Sequence, residues 1–284
     1  MNETSTDPDT LSSWQDAREP LEFLVSSWNR LEVLEALTVE SRTRADLKEL
    51  VGVSRVTLSR ILGDLERRGW VVRPNGRYEA TSDGVFVAGE VVRTLENLRT
   101  AAELGTTMEW LPTDRFDFDV ARLRDATVIT PTYDDFTAQT RRLVGLVHES
   151  DRIRGIGTGI DREFMRTLRD ACVDGDLTLD LVLEEGLFDA IEADADLRRL
   201  FADLTAAESA RVYRYDGDEP LTMVGIHDGL ESEPDVVMLC GQHEEGAPPG
   251  TIESTDGTVR AWAESFFESI RRASRPVEPA AFAR

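Results

Sequence analysis

Hydrophobic residues recur at helical spacing in the first part of the chain. The segment Trp28 to Ser41 places Leu31, Val33, Leu34 and Leu37 on one face, which predicts an amphipathic helix. Arg44 to Val51 predicts a second, short helix that ends at Gly52, because glycine readily adopts the left-handed conformation. A third helix follows with Ser54 as its cap. Its apolar residues recur at i, i+3, i+4 and i+7 and are Leu58, Ile61, Leu62 and Leu65.

After the third helix the pattern changes to two short strands joined by a turn. Trp70 to Val72 alternates as a strand, and Arg77 to Ala80 forms the returning strand. The residues between them, Arg73-Pro74-Asn75-Gly76, contain an Asn-Gly pair, which is a strong hairpin signal. Three helices followed by a hairpin with basic residues at its tip predict a winged helix-turn-helix.

A long helix is predicted next, capped by Ser82 or Asp83 and ending near Trp110. Small and apolar residues recur along it every three or four positions, which gives a heptad-like seam. This seam predicts a dimer helix that sets the spacing of two DNA half-sites; packing against the chain's own domains is the alternative. The residues assigned to the dimer helix are Ala88, Val91, Leu95, Leu98 and Ala102.

From residue 119 onward, apolar runs alternate with amphipathic helices. The predicted strands cover 126–130, 153–158, 177–183, 210–215, 221–226 and 236–240, and the predicted helices lie near 134–149, 161–173, 186–203 and 258–273. The early alternation indicates parallel pairing, whereas residues 211–226 predict an antiparallel hairpin over Asp216-Gly217-Asp218. A mixed sheet covered by helices follows.

The fold class predicted for the whole chain is α+β and multidomain. A length of 284 residues suits about two domains. The expected parts are a disordered acidic N-terminus (1–19), a winged helix (20–82), a linker or dimerisation helix (83–111), an α/β sensor or dimerisation domain (119–273) and a tail (274–284).

Charge and composition limit the partners and the cellular environment that we expect for the protein. The net charge of −23 argues, taken globally, against a polyanionic partner. Lys48 is the only lysine, and an acidic chain almost free of lysine favours a halophilic protein, with an ordinary acidic cytosolic protein as the alternative. No apolar run reaches the length of about 18 residues that spans a bilayer, and no secretory signal opens the sequence. Two cysteines fit a reducing cytoplasm, so we expect a cytoplasmic protein with no membrane partner.

The positive charge is concentrated in one window. Residues 42–78 hold nine basic and four acidic residues, and such a basic island indicates a nucleic-acid backbone as partner. The outward face of the third helix carries basic, hydroxyl and small apolar groups that suit a major groove. The predicted DNA-binding residues are Arg55, Val56, Thr57, Ser59, Arg60, Arg67, Arg73 and Arg77. We expect double-stranded DNA as the partner; a winged helix that binds only other proteins is the alternative.

These residues also carry a family resemblance. The stretch RADLKELVGVSRVTLSRILGDLERRGWVVRPNGRYEATSDG resembles the DNA-binding domain of archaeal winged-helix transcriptional regulators. The segments RLRDATVITPT, ARVYRYDG and RAWAESFFE resemble the haloarchaeal branch that carries the middle domain of a methanogenesis regulator, related to TrmB-type sugar-sensing regulators. The resemblance implies a sequence-specific regulator with a phospholipase-D-like second domain that lacks the chemistry. It carries over the DNA-contacting positions Arg55, Thr57, Ser59, Arg60 and Arg77.

The second domain offers few chemical motifs. A glycine-rich segment, residues 155–161, joins a strand to a helix and permits a small ligand; a glycine-shaped turn with Asp161 as helix cap is the alternative. The residues proposed for a small-molecule effector are Thr130, Gly157, Thr158, Gly159 and Asp228. The single lysine excludes phosphate-loop, Schiff-base and paired HxK chemistry. Cys240 and His243 are too few ligands for zinc. We therefore expect no metal, no cofactor and no catalytic residues, and an enzyme acting on a phosphodiester or nucleotide remains the alternative.

Overall fold

The computed structural model describes residues 15–130, 137–217, 223–230, 233–240, 250–278 and 282. It divides into two compact units, Met1–Leu98 and Arg99–Arg284.

The first unit consists of helices and one small sheet. The helices are α1 (Gln15–Val25), α2 (Trp28–Val39), α3 (Arg44–Val51), α4 (Arg55–Arg67) and the start of α5 (Ser82–Leu104). The strands β1 (Val71–Val72) and β2 (Glu79–Ala80) pair antiparallel, with Val71 opposite Ala80. A helical turn at Pro74–Gly76 joins them.

Helix α1 corrects the predicted extent of the N-terminal disorder. The helix begins at Gln15, so residues 15–19 are helical, whereas we expected the disordered segment to run to residue 19. Arg68, the residue that follows α4, contacts helix α1. Arg68 forms an ion pair with Glu19, and its guanidinium lies 3.7 Å from the centre of the Phe23 ring. The first 14 residues lie outside the described residues.

Local capping interactions set the bounds of α3 and α4 as predicted. Thr43 Oγ1 accepts a hydrogen bond from the backbone N–H of Asp46, and the Asp46 carboxylate accepts one from the N–H of Thr43. The bond from the Thr43 backbone foremost, and the Thr43 side chain after it, lower the pKa of Asp46. Gly52 ends α3 with φ of 68°, and Ser54 Oγ accepts from the N–H of Thr57 to begin α4.

The apolar faces of α2 and α4 form the core of the first unit. All eight predicted residues of these faces are buried: Leu31, Val33, Leu34, Leu37, Leu58, Ile61, Leu62 and Leu65. Leu47, Trp70 and Tyr78 join the same core. The hydrophobic pattern therefore identified the interior of this unit correctly.

The first half of α5 also packs on this core. Ala88 is 2% exposed and Val91 is 6% exposed, and Leu95 is partly buried against the same residues. The prediction of a dimer seam is therefore wrong for Ala88 and Val91, because the chain's own core covers them. Leu98, which is 64% exposed, and Ala102 are on the surface of their units.

The ends of α5 also differ from the prediction. Thr81, rather than Ser82 or Asp83, caps the helix, because its Oγ1 accepts from the N–H of Gly84. The α-helix ends at Leu104, and a turn of 3₁₀ helix, Gly105–Glu109, follows it.

Among the residues described, the second unit contains an eight-stranded mixed sheet. Its strands are β3 (Thr127–Ile129), β4 (Ser150–Gly157), β5 (Thr178–Glu184), β6 (Ala210–Tyr215), β7 (Met223–Gly229), β8 (Val236–Cys240), β9 (Thr251–Ser254) and β10 (Arg275–Pro276). The order across the sheet is β10-β6-β5-β4-β7-β8-β9-β3. The pairs β4–β5 and β5–β6 are parallel, as the strand-helix alternation predicted, and the others are antiparallel.

Helices pack against this sheet and bury its apolar side chains. They are α6 (Ala138–His148), α7 (Arg162–Val173), α8 (Glu185–Ala193), α9 (Ala195–Ala206) and α10 (Gly257–Ala273). Side chains of α10, among them Trp262 and Phe267, pack with Ile156 and Val224 of the central strands. Residues of α7, α8 and α9 pack with Ile153 and with other strand residues.

Three expectations for this unit were wrong. Strands β6 and β7 do not form a hairpin, since β6 pairs with β5, and β7 pairs with β4. One predicted helix over 186–203 is two helices, because the Asp194 carboxylate accepts from the backbone N–H groups of Asp196 and Leu197 and starts α9. Strands β9 and β10 were not predicted.

Candidate nucleic-acid interface and internal cavity

Helix α4 exposes the face opposite its buried stripe. Arg55, Ser59 and Arg60 are exposed, and Val56 is 81% exposed. The first turn of α4 contains no acidic residue, so no carboxylate offsets the positive end of the helix dipole. The predicted residues Arg55, Val56, Ser59 and Arg60 therefore face solvent.

The hydroxyl groups on this surface are tied to the helix itself. Ser59 Oγ donates to the backbone carbonyl of Arg55 at 2.8 Å, and Thr57 Oγ1 lies 2.8 Å from Ser54 Oγ. Thr57 is also half-buried. A hydroxyl oxygen that donates one bond still has lone pairs to accept others. Ser59 thus keeps an acceptor position on the exposed face.

Three basic residues of the island have carboxylate partners. Arg42 lies 2.9 Å from Glu40, Arg67 pairs with Asp64, and Arg68 pairs with Glu19. Of these three, only Arg67 belongs to the predicted DNA-binding set. The other six basic residues of the island form no ion pair with a carboxylate of the described residues; they are Arg44, Lys48, Arg55, Arg60, Arg73 and Arg77.

Tyr78 contacts two of these cations, Arg44 and Arg73. Its ring is buried, and its hydroxyl accepts a hydrogen bond of 2.8 Å from Nη2 of Arg44. The guanidinium of Arg73 lies 5.0 Å from the centre of the Tyr78 ring, within cation–π range. The tyrosine therefore joins the turn between β1 and β2 to the start of α3. The role of Arg44 was missed from the sequence, because only folding brings it to Tyr78.

Arg77 has a separate anchor. Its Nε donates to Ser41 Oγ at 3.1 Å, and Nη2 bonds to the Ser41 carbonyl. The preceding turn depends on left-handed conformations, with φ of 49° at Asn75 and 83° at Gly76. Asn and Gly tolerate this region, which explains why the Asn-Gly pair stands there.

A groove lies where α3 meets α4. Its lining includes the basic residues Arg44, Lys48 and Arg55, together with Ala45, Glu49 and Leu58. Lys48 was counted in the basic island but not among the binding residues. Its i, i+4 spacing from Arg44 is the sequence signal that places both on one side of α3.

The second unit encloses a cavity of about 380 Å³ between the sheet and helices α6 and α7. Its floor has an unusual feature, which is that Gly155 of β4 and Gly225 of β7 are direct partners in the strand register. Leu181 and Met238 continue the same row on either side. Two facing positions without side chains leave space at the middle of the sheet.

His227 is the most buried ionisable group of this cavity. It is 1% exposed, and its Nδ1 has no hydrogen-bond partner within the described part of the chain. Burial lowers the pKa of His227 to about 4; the charge of Arg142 also lowers it, and Asp228 raises it. The imidazole is therefore neutral near pH 7.

The structure brings some of the predicted effector residues to this cavity. Gly157 and Gly159 line it, beside Asp161. The Asp161 carboxylate accepts from the N–H of Phe164 at 2.9 Å and from Thr140 Oγ1 at 2.8 Å. This carboxylate already occupies the start of α7, which disfavours an anion there and fits the helix-cap interpretation.

The remaining predicted effector residues lie elsewhere. Asp228 is bound to Arg154 at 3.1 Å and to Arg260, and these arginines also contact Glu264 of α10. Thr130 follows β3, and Thr158 follows β4; neither lines the cavity. The predicted group of five therefore does not form one cluster.

Both cysteines are free and buried. Burial raises the pKa of the Cys172 thiol and of the Cys240 thiol to about 11 in each case. Within the described residues no three metal-ligating side chains gather, and His243 lies outside that set. No helix in the described ranges has the length and apolar character to cross a membrane.

The described geometry is that of a two-unit α+β protein, with a mostly helical first unit that carries the basic island and a mixed-sheet second unit. Residues 18–103 match the family model of the HVO_A0261 N-terminal domain, and residues 137–273 match that of the middle domain of the methanogenesis regulatory protein FilR1. Two successive segments of the chain are therefore similar to these two regulator domains. The resemblance to a regulator with a methanogenesis-regulator-type middle domain is confirmed.

Comparison with solved structures gives weak overall likenesses. TrmBL2, described as an archaeal chromatin protein with a novel mode of DNA binding, has a TM-score of 0.40 at 13% identity, with 92% of this chain and 99% of that chain covered. The phospholipase D family member Nuc from Salmonella typhimurium has a TM-score of 0.39 at 11% identity, with 54% and 99% covered. NucT from Helicobacter pylori gives 0.38 at 11% identity, with the same coverage. No curated protein matches the sequence.

Proposed function

We propose that this chain is a sequence-specific transcriptional regulator and that its first unit is a winged helix-turn-helix that binds double-stranded DNA. The observation that carries the proposal is the set of six cations without carboxylate partners, within the described residues, on α3, α4 and the β1–β2 turn. The match to the middle domain of a regulatory protein supports it.

The charge of the whole chain makes this set informative. In a protein of net charge −23, carboxylates are plentiful, and exposed arginines readily find one. Many arginines of the second unit do so, as Arg142 does with Glu149 and Glu253. Unpaired cations collected on one surface therefore favour an external anion such as a phosphate backbone.

The exposed side chains of α4 favour a role for this helix in recognising bases in the major groove. Arg60 and Arg55 each offer a planar fork that matches guanine in the major groove, and the exposed methyl groups of Val56 suit a thymine methyl. Arg44, Lys48, Arg73 and Arg77 flank the helix in the chain, and we assign them to phosphates. We assign no phosphate contact to Arg67, because it is paired with Asp64.

Selection from a random duplex library with the full chain tests the proposal. We expect one enriched sequence, and Arg60→Ala should weaken binding to it by about 1–3 kcal/mol and relax the preference at one base pair. Arg199→Ala is the matched control, since Arg199 is exposed on α9 and lies outside the island. No enrichment would favour a module that binds only proteins. Enrichment with an unchanged Arg60→Ala would place base reading elsewhere.

The second unit completes the proposed regulator. We assign it a sensory or assembly role without catalysis, because the sequence lacks the lysine that paired HxK chemistry needs.

We further propose a homodimer in a cytoplasmic, high-salt setting, with any α5 contact formed through Leu98 and Ala102 rather than through Ala88 and Val91. At about 1 M salt the Debye length falls to about 3 Å, so the acidic surface repels DNA little.

A further inference from the structure

The cavity of the second unit is larger than the gaps that remain in a packed core. Protein interiors leave few voids bigger than a water molecule, whereas ligand pockets range upward from about 300 Å³. A cavity of about 150 Å³ lined by apolar side chains is enough to hold benzene. At about 380 Å³, this cavity has room for a ligand with one or two rings.

Backbone positions of the sheet create this space. A Cβ placed on Gly155 would lie 3.5 Å from Leu181 Cδ1, which is an ordinary contact, so an alanine fits without strain. A Cβ on Gly225 would lie 2.9 Å from His227 Nε2. The edge of the imidazole therefore lies over Gly225, at the floor of the cavity.

The lining selects the chemistry of the ligand. Leucine, isoleucine and methionine side chains dominate it, and no lysine or arginine of the described residues lines it. The Asp161 carboxylate at the rim would repel an anion. The neutral imidazole of His227 supplies a polar group in an otherwise apolar wall.

An entrance is present at one end. Gly159 is exposed, and Gln139, Thr140 and Asp161 beside it are half-buried, whereas Ile153 and Leu179 at the opposite end are buried. The hydrogen bond between Thr140 and Asp161 joins α6 to the start of α7 across this entrance. A ligand would enter beside this bond.

We propose that the cavity binds an uncharged, mostly apolar small molecule of one or two rings, with a hydroxyl or carbonyl group that hydrogen-bonds to His227. The site stands on the second unit alone and does not depend on DNA binding. A direct binding measurement therefore fails or succeeds independently of any DNA-binding assay.

The test uses the full chain and 6-propionyl-2-dimethylaminonaphthalene, a neutral two-ring probe with a carbonyl group whose fluorescence changes in apolar surroundings. We expect saturable binding at one site per chain. Gly155→Val should weaken binding at least tenfold because its side chain fills the space, whereas Gly186→Ala should not, since Gly186 is exposed on α8 with open space around it. Absence of saturable binding, or equal binding by folded Gly155→Val, would overturn the proposal.

Competition with the probe tests the chemistry. We expect 2-naphthol to displace the probe several-fold better than naphthalene, and 2-naphthalenesulfonate to displace it least. His227→Phe should abolish the preference for 2-naphthol over naphthalene. If the preference persists in folded His227→Phe, or the sulfonate displaces the probe best, the assigned chemistry is wrong.

Methionine methyl groups give a measurement on the unmodified chain. Met165, Met223 and Met238 line the cavity, and Met108 packs in a different cluster of the same unit. In an NMR titration with 2-naphthol, the three lining methyl signals should shift and the Met108 signal should stay. Shifts at Met108 alone, or none at all, would contradict the site even if Gly155→Val failed to fold.

Discussion

Replacing Arg55 by glutamine isolates the electrostatic part of the proposed DNA interface. Arg55 is exposed at the first residue of α4, lines the groove with Arg44 and Lys48, and has no carboxylate partner in the described part of the chain. Its charge is therefore available to a phosphate without the loss of an internal ion pair.

The magnitude follows from counterion release. Each phosphate contact contributes about 0.9 to the slope of log K against log salt concentration. Losing one contact should therefore reduce affinity about 8-fold at 0.1 M salt but only about 2-fold at 0.5 M, because the released counterions matter less as salt rises. In a dimer both copies of Arg55 contribute, so the slope should fall by about 2.

Fluorescence anisotropy with a duplex of arbitrary sequence measures this slope over a range of KCl concentrations. The matched control is the double variant Asp64→Asn with Arg67→Gln, which removes an ion pair and leaves the net charge unchanged. The control should keep the wild-type slope. An unchanged slope in Arg55→Gln would refute its phosphate contact, and a reduced slope in the control would mean that Arg67 leaves Asp64 to bind DNA.

Three further predictions concern stability and assembly. The pKa of His227 falls from about 6.5 in the unfolded chain to about 4 in the fold, so acid protonates the unfolded state first; stability should fall by about 3 kcal/mol between these pH values, and urea titrations of His227→Gln should lack this loss. A wild-type curve that is flat over this range would show that the imidazole is solvated. Leu98→Glu should shift light-scattering masses toward the monomer while the fold persists, because Leu98 is exposed. Val91→Asp should lower stability by more than about 2 kcal/mol, because it buries a charge in the core. A dimer that survives Leu98→Glu would place the interface away from this end of α5.

Local chemistry explains what the sequence could predict. The bounds of α3 and α4 follow from Thr43, Gly52 and Ser54, whose capping bonds involve residues only a few positions away. The buried stripe of α4 follows from one helical repeat. These interactions are short-range, so they can be recognised before the fold is known.

Pairing between distant segments could not be predicted in the same way. The turn residues Asp216 and Gly217 suggested a hairpin, but turn residues do not specify a strand's neighbour. Parallel pairing with β5, with Leu181 opposite Val212, determines where β6 lies. The residues between Tyr215 and Met223 also exceed the usual two to five of a hairpin loop.

The same distinction between short-range and long-range interactions applies to the candidate site. The α4 residues were predicted because one helix carries them all, whereas the Arg44–Tyr78 contact joins residues far apart in sequence. The spacing of Ala88 and Val91 suited either a partner helix or the chain's own core, and periodicity alone could not decide between them. The facing of Gly155 and Gly225 depends on strand register, which no local pattern revealed.

The facing glycines have a consequence for how this fold can diversify. The cavity exists because two paired strand positions carry glycine instead of a residue with a side chain. Replacing Gly155 by alanine adds one methyl group, which reduces the cavity volume slightly and leaves the backbone pairing intact. A substitution at this one position therefore changes the size of the ligand that fits, while the packing of the sheet and its helices stays the same.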